Sequence, residues 1–394
     1  MVLCLGSVCL EAAASFASAK TRCDLATPPP PFSCVYSPQL PELVHQLGCS
    51  IALTTYQAGK LILLSALDQE RLSQLPRTFD KPMGIGYDAT RGLLAIACRN
   101  EVITFANSPE LARHYPKAPG KYDALFMPRM TYHTGPVDIH DLRFGESPTA
   151  QSTVNTVAKL PTLYAVNTRF NCLVTLDGFH NFTPYWKPPQ IDRIAGDDRC
   201  HLNGMAMRDG RPAYATAFGT GNEPGAWRET LLESGVVYDL ESGEVLTEGL
   251  GMPHSPRLFD GQLYVLLSAT GQLVRIDPAT GRQEVVTEIG GFVRGMDRIG
   301  DYLFVALSKL RKNSSTFAKL PFAEKADRAG LVVIHLPTGA RVAELTYQAS
   351  VDEVYDVHVL PGLRRPNVLN TTREDYQQGL MIPGTTFWAQ PGPT

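Results

Sequence analysis

Three histidines carry the sharpest chemical signal in the chain: His140 in VDIHDLRF, His201 in RCHLNGMAM and His254 in MPHSPR. A neutral imidazole accepts protons near neutral pH and is the commonest nitrogen ligand for zinc, iron or copper. Three of them aimed at one point would hold such an ion and leave a coordination position open for water or substrate. No HxH or HExxH spacing places two of them on one element, so only the fold can bring them together. Asp138 and Glu353 are candidate general bases, and Arg294 is the candidate cation for an anionic group on a substrate. Arg99, Asn100, Arg169, Asn203 and Tyr355 are candidate substrate contacts, with Lys309 and Arg311 as further cations on loops.

The elements that must position these residues are strands. His254 to Gly290 contains four short apolar runs broken by Asp260-Gly261, Ala269-Thr270-Gly271 and Asp277-Pro278-Ala279-Thr280-Gly281, which are turn signals at hairpin spacing. This is a four-stranded meander of one propeller blade's length. Its third strand and turn recur at 235–245, 272–282 and 330–342, each with an apolar run entering Asp239, Asp277 or His335 four positions before Gly243, Gly281 or Gly339. Repetition of an all-strand unit predicts an all-β fold, a six-bladed β-propeller. Its last blade is closed by three N-terminal strands, at about 50–75, and one C-terminal strand beginning near Val354.

The first strand of each blade lines a propeller's central channel. Aligned on the turn that follows, Asp138, Asn203, His254, Arg294 and Tyr355 share one register, each seven residues before Gly145, Gly210, Gly261, Asp301 or Gly362, with Met83 as the equivalent in the blade before. Alternation with period two then turns His140, His201, Glu353 and Lys81 to the same side. Polar groups from all six blades thus converge on one channel mouth, the default place for a site. Three readings of the histidines stand open: a transition metal (Fe, Cu or Zn), a metal-free polar pocket, or a hard cation such as calcium. His358 falls late in its strand, toward the other face, and Asp197-Asp198-Arg199 reads as a loop before His201.

A formal net charge of -3, with no long basic run, excludes a nucleic-acid-binding stripe. No uninterrupted apolar stretch long enough to span a membrane follows the N-terminus. Eight cysteines show no CxxC pair or framework spacing, which favours a reducing, cytoplasmic compartment. Val2 to Ala19 supports the alternative of export through a weak N-terminal signal. The expected organisation is a leader over 1–34, either disordered or cleaved, a single propeller domain over 35–362, and a C-terminal tail over 363–394.

The segments TTYQAGKL, RNEVITF, DIHDLRF, VNTRFNCLVTLD, RCHLNGMAM, MPHSPR and RGM occur in this order. In them the chain resembles an uncharacterised family of bacterial proteins predicted to be β-propellers. The resemblance implies the propeller and the histidine positions and implies no reaction. The resulting expectation is a metal-dependent enzyme, an oxygenase, lyase or hydrolase, acting on a small or peptidyl substrate with an anionic group. Its alternative is a non-catalytic propeller that binds a peptide or small molecule.

Overall fold

The computed structural model describes residues 28–147, 161–310 and 326–389. The signal-like stretch Val2 to Ala19 and the candidate cation Arg311 lie outside them. Short runs of aliphatic and β-branched residues between turn glycines fold here as antiparallel meanders, and six such sheets stand around one axis. Blade 1 joins the two ends of the propeller: Asp356–Pro361 pairs with Cys49–Thr55, followed by Lys60–Ala66 and Leu72–Thr78. Blade 2 runs from Ile85–Asp88 to Ala124–Tyr132, blade 3 from Ile139–Gly145 to Thr183–Trp186, and blade 4 from Leu202–Arg208 to Val245–Leu250. Blade 5 runs from Pro253–Phe259 to Gln283–Glu288, and blade 6 from Phe292–Ile299 to Ala340–Tyr347. The first strand of every blade touches the first strand of the next, and the sequence of contacts returns to its start.

The repeated turn explains its own residues. The side chains of Asp239 and Asp277 accept from the backbone N–H groups of the turn, and His335 Nδ1 meets Thr338 Oγ1 at 2.8 Å in the same role. Gly243, Gly281 and Gly339 close the turn at φ of +76°, +70° and +68°, a left-handed conformation that costs a side chain energy. The core lies between blades: Ile62 and Leu64 of blade 1, for example, pack with Phe304 and Val333 of blade 6.

Outer edges are covered as well. Cys34–Tyr36 adds a strand to blade 6, and a short helix, Gln39–Leu47, buries Leu40, Leu43 and Val44 between blades 1 and 6. The segment after 362 is not a free tail. Pro366–Val368 pairs parallel with the outer strand of blade 2, and the hairpin Gly379–Ile382 with Thr385–Trp388 sets the Trp388 ring 5.5 Å from Tyr115. Leu369, Met381 and Trp388 pack into this cluster, and Val368 packs with the core between blades 1 and 2. Among the described residues no helix is long and apolar enough to cross a membrane.

Candidate functional site

One register of the channel differs from expectation. Gly210, Gly261 and Gly362 are left-handed turn residues at φ of +74°, +75° and +74°. Gly145 has no such conformation; it pairs with Thr162 inside the sheet, and a Cβ on it would fall 2.3 Å from the carbonyl oxygen of Gly210. It is a poor marker for the turn, and the alignment built on it is off by two. Strand pairing sets His140, not Asp138, beside Asn203, His254, Arg294 and Tyr355, while Asp138 takes the left-handed residue before the strand, at φ of 55°.

A hydroxyl at the end of the second strand ties several blades to the next. Thr54 Oγ1 donates to the Met83 carbonyl at 2.6 Å, Thr168 Oγ1 to Leu202 at 2.6 Å, Ser308 Oγ to Val354 at 3.0 Å, and Ser268 Oγ to Val293. Two of these hydroxyls also fix an imidazole. His140 Nδ1 faces the Asp138 carbonyl at 3.0 Å and Thr168 Oγ1 at 2.7 Å; His254 Nδ1 faces the Met252 carbonyl at 3.1 Å and Ser268 Oγ at 2.7 Å. A carbonyl only accepts, and each hydroxyl has already given its proton away, so both Nδ1 atoms carry hydrogen. Nε2 is therefore the free nitrogen of each ring. Both imidazoles are held neutral: burial, His201 and Arg294 pull His140 down to about 3, and burial with Arg294 takes His254 well below its ordinary value.

His201 is built differently. Its Nδ1 lies 3.0 Å from Asp198 Oδ2. Burial works against the Asp198 carboxylate, but the His201 ring and its hydrogen bond hold it below the ordinary range. The Trp227 Nε1–H donates to the Asp198 carbonyl at 3.1 Å and to Oδ2 at 3.2 Å, and Arg228 stacks on Trp227 at 4.2 Å. The Trp227 and Phe218 rings, 5.4 Å from each other, pack against the imidazole at 4.3 Å and 4.5 Å. This histidine thus has an orienting carboxylate, two aromatic neighbours and a free Nε2.

These side chains wall a cavity of about 350 Å³ in the channel mouth, within the range of small-molecule sites. Its other walls include Tyr56, Asp138, Phe292, Arg294, Glu353 and Tyr355. Arg294 Nη1 bonds Glu353 Oε1 at 3.1 Å, and its guanidinium lies 4.1 Å above the Tyr355 ring. Burial pushes the Asp138 carboxyl up, with Arg169 opposing. Beneath the cavity is a throat of about 10 Å³, lined by His140, His254, Asn203, Arg294 and Tyr355. Asn203 Nδ2, Arg294 Nε and the Tyr355 hydroxyl are buried there without a hydrogen-bond partner.

One to three residues further along the same strands the channel is filled by charge, with Asp141 and Asp356 at the floor of the throat. Arg257 Nη1 meets Asp141 Oδ2 at 2.9 Å, and Arg143 Nη2 stands 3.5 Å from Asp141 Oδ1. Arg143 Nη1 also reaches His358 Nε2 at 2.9 Å, and His358 Nδ1 lies 2.6 Å from Asp297 Oδ2. Asp356 accepts the backbone N–H groups of Ile85 and Val357, both at 2.9 Å. Burial and Asp141 push Asp356 up; burial opposes Asp297 too, but His358, the Val359 N–H and Arg143 bring it down to about 2.

Several predicted site residues stand apart from the cavity. Arg99 is on the rim, paired with Asp80 at 3.2 Å; Asn100 is exposed, and its carbonyl accepts from Gly135. Arg169 bonds the Pro136 carbonyl at 3.1 Å on the outer lip. His140, His201, Asp138, Glu353, Arg294 and Tyr355 line the mouth, while Asn203 and His254 line only the throat. Among the described residues no group of three or more His, Cys, Asp or Glu side chains is placed to hold a metal ion. The Phe218 ring, 4.5 Å from His201 and 5.1 Å from His254, stands between two of the proposed ligands. Sequence reasoning missed Asp198, Trp227 and the lower charges. The signal for the latter was spacing: Arg143, Arg257, Asp297 and His358 each follow an upper channel residue by three. β-bulges such as those between His254 and Arg257 and between Val293 and Met296 break the period of two on which the reading relied.

Among solved structures, the chain is similar to one from a nidogen/laminin complex, at 10% identity and a TM-score of 0.49, covering 80% of this chain and 99% of that one. It is also similar to a protein of unknown function from Bacteroides caccae, at 9% identity and a TM-score of 0.45, covering 79% and 98%. No curated protein matches it. Residues 38–369, almost the whole ring together with its entering helix, match the family described as a domain of unknown function, DUF4915, and the chain belongs to that family.

Proposed function

We propose that the protein is an enzyme that removes a proton from a small molecule bound in the channel mouth, with His201 as base and Asp198 as its orienting partner. The observation that carries this reading is the 3.0 Å contact between Asp198 Oδ2 and His201 Nδ1 on the wall of the cavity. With Nδ1–H given to the carboxylate, Nε2 presents its lone pair to the substrate. A C–H or O–H bond of the substrate breaks, its electron pair stays on the substrate, and the proton goes to Nε2. Asp198 then stabilises the imidazolium, and Trp227 and Phe218 keep the ring from turning. Arg294, braced by Glu353 on the same cavity, is a cation able to stabilise the electron pair left behind. His140 and His254, held neutral, serve as hydrogen-bond acceptors. Such a step fits lyase or hydrolase chemistry.

The test is turnover of a small-molecule cell extract, followed by mass spectrometry. A compound consumed by the protein should survive with His201→Gln, and Asp198→Asn should slow its loss by about 10⁴-fold by misplacing the ring proton. Consumption unchanged in His201→Gln would end the proposal. A compound retained but never altered would make this a binding propeller instead.

One observation favours the metal reading as a second possibility: Nδ1 of His140 and of His254 is anchored by a carbonyl and a hydroxyl, as in ligands whose outer partners fix the Nε2 donor. An iron, copper or zinc ion there would supply Lewis-acid or redox chemistry, and His201 would join only if Phe218 moved. Metal analysis of purified protein decides it: a stoichiometric ion lost in both His140→Ala and His254→Ala supports this reading, and an ion retained by both removes it.

A further inference from the structure

The throat and the mouth together say what kind of molecule fits. Asn203 and Tyr355 are 4% and 7% exposed, and each leaves a hydrogen-bonding atom unpartnered at the throat, as does Arg294 Nε. Asn203 Nδ2 and Arg294 Nε can only donate. Burial raises the Tyr355 phenol, so it also keeps its proton. Against these donors stand the imidazoles of His140 and His254, whose free Nε2 atoms can only accept. An anionic oxygen would satisfy the donors and be repelled by the two lone pairs. An ammonium would satisfy the lone pairs and meet a guanidinium. An O–H group does both, accepting from nitrogen donors while giving its proton to an imidazole. A volume of about 10 Å³ admits one such oxygen.

Apart from the Asp138 carboxylate, the charges of the mouth are already paired within the protein. Arg294 is bonded to Glu353 at 3.1 Å, Lys309 to Asp352 at 2.7 Å, and Arg228 stands 3.8 Å from Asp198. A ligand with net charge would have to compete with these pairs. Between them lie the aromatic side chains of Trp227, Tyr56 and Phe292 and the carboxylate oxygens of Asp138. Apolar ring faces alternating with acceptors suit a molecule with C–H faces and several hydroxyls. We infer that the ligand is an uncharged polyhydroxylated compound, a sugar or cyclic polyol, with one hydroxyl seated in the throat.

The inference rests on the mouth being a small-molecule site, and its test separates the two. Saturation-transfer NMR on the full chain would use glucose, galactose and myo-inositol as neutral probes and glucuronate and glucosamine as charged ones. At least one neutral probe should bind at millimolar concentration, more tightly than either charged analogue. Asn203→Asp, which keeps the shape and replaces a donor with an acceptor, should weaken it roughly tenfold, as should Asn203→Leu, the loss of about one hydrogen bond. Binding of glucuronate or glucosamine in preference, abolished by His201→Gln, would overturn the polyol inference and leave the site itself standing. Binding of a neutral probe that Asn203→Asp does not change would also overturn it. If no probe of either class binds and the extract also yields no ligand, the inference and the site fall together.

Discussion

The channel contains two polar layers one to three residues apart on the same strands, and they obey opposite rules. In the lower layer Asp141, Asp297 and Asp356 each take two or more partners, and Arg143, Arg257 and His358 bridge them. In the upper layer Asn203, Arg294 and Tyr355 leave donors unanswered beside two imidazoles with free nitrogens. A buried polar group costs free energy unless it is paired, so folding alone accounts for the lower layer and not for the upper. The lower charges clamp six first strands at the centre of the ring. The upper groups are the ones the proposed ligand would bond. The division is one of degree: every lower carboxylate is answered within the protein and Arg257 Nε is left over, whereas three donors of the upper layer stand without a protein partner around one small throat.

The largest effect should come from cutting the lower layer. Arg257→Met removes the closest ion-pair partner of Asp141 and leaves that buried carboxylate to Arg143 and two backbone N–H groups, which should cost about 3 kcal/mol in urea unfolding. The same change at Arg294, which is partly exposed and bonded to one carboxylate, should cost less than half of that. Equal losses at the two positions would erase the distinction between the layers.

Acid should reveal both layers at different pH. His140 is held neutral down to about 3 against an ordinary value of 6.5, so the unfolded chain takes up that proton first. Its contribution is complete above about 6.5 and is lost as pH falls toward 3. Asp297, brought to about 2 from 3.8, holds its contribution above its unfolded value and loses it as pH falls through about 2. Asp356, pushed up, has the opposite sign and gives its stability up as pH rises. Thermal melting from pH 7 downward should therefore decline in two stages, the upper layer first. His140→Gln should shrink the first stage, with His254, also held below its ordinary value, supplying the remainder, and a single stage unaffected by this change would contradict the assignment.

Ser268→Ala tests the link between layers and blades. The hydroxyl donates to the Val293 carbonyl of the next blade and accepts from His254 Nδ1, so its loss leaves an acceptor and a donor short of a partner. The expected cost is about 1–2 kcal/mol. Imidazole ¹⁵N NMR should also show the His254 tautomer less sharply fixed, with the Met252 carbonyl its only remaining anchor.

The sequence made the ring readable because the blade unit repeats, down to the Asp239, Asp277 and His335 turns, and because blade 1 joins three N-terminal strands to one C-terminal strand. The site was read less well, for three local reasons. Gly145 looked like a turn glycine and is a close-approach strand glycine, which moved Asp138 into the place of His140. Bulges replaced a spacing of two by three, which hid Arg143, Arg257, Asp297 and His358 as a set. Asp198 was taken for loop because its function depends on Trp227 and His201 closing around it, and contacts across an insertion leave no periodic trace.

The smallest expected effect is the most discriminating. Tyr355→Phe removes a buried hydroxyl that has no partner in the folded protein and keeps the ring on which Arg294 stacks at 4.1 Å. If the upper layer were part of the closure, the change would cost about 1–2 kcal/mol, as the loss of a made hydrogen bond does. If the hydroxyl is there for a ligand, stability should stay within about 0.5 kcal/mol or rise, because an unmet desolvation cost disappears. Ligand affinity should fall all the same, and a protein that holds its fold while losing its ligand at Tyr355 is the outcome that separates the two layers most directly.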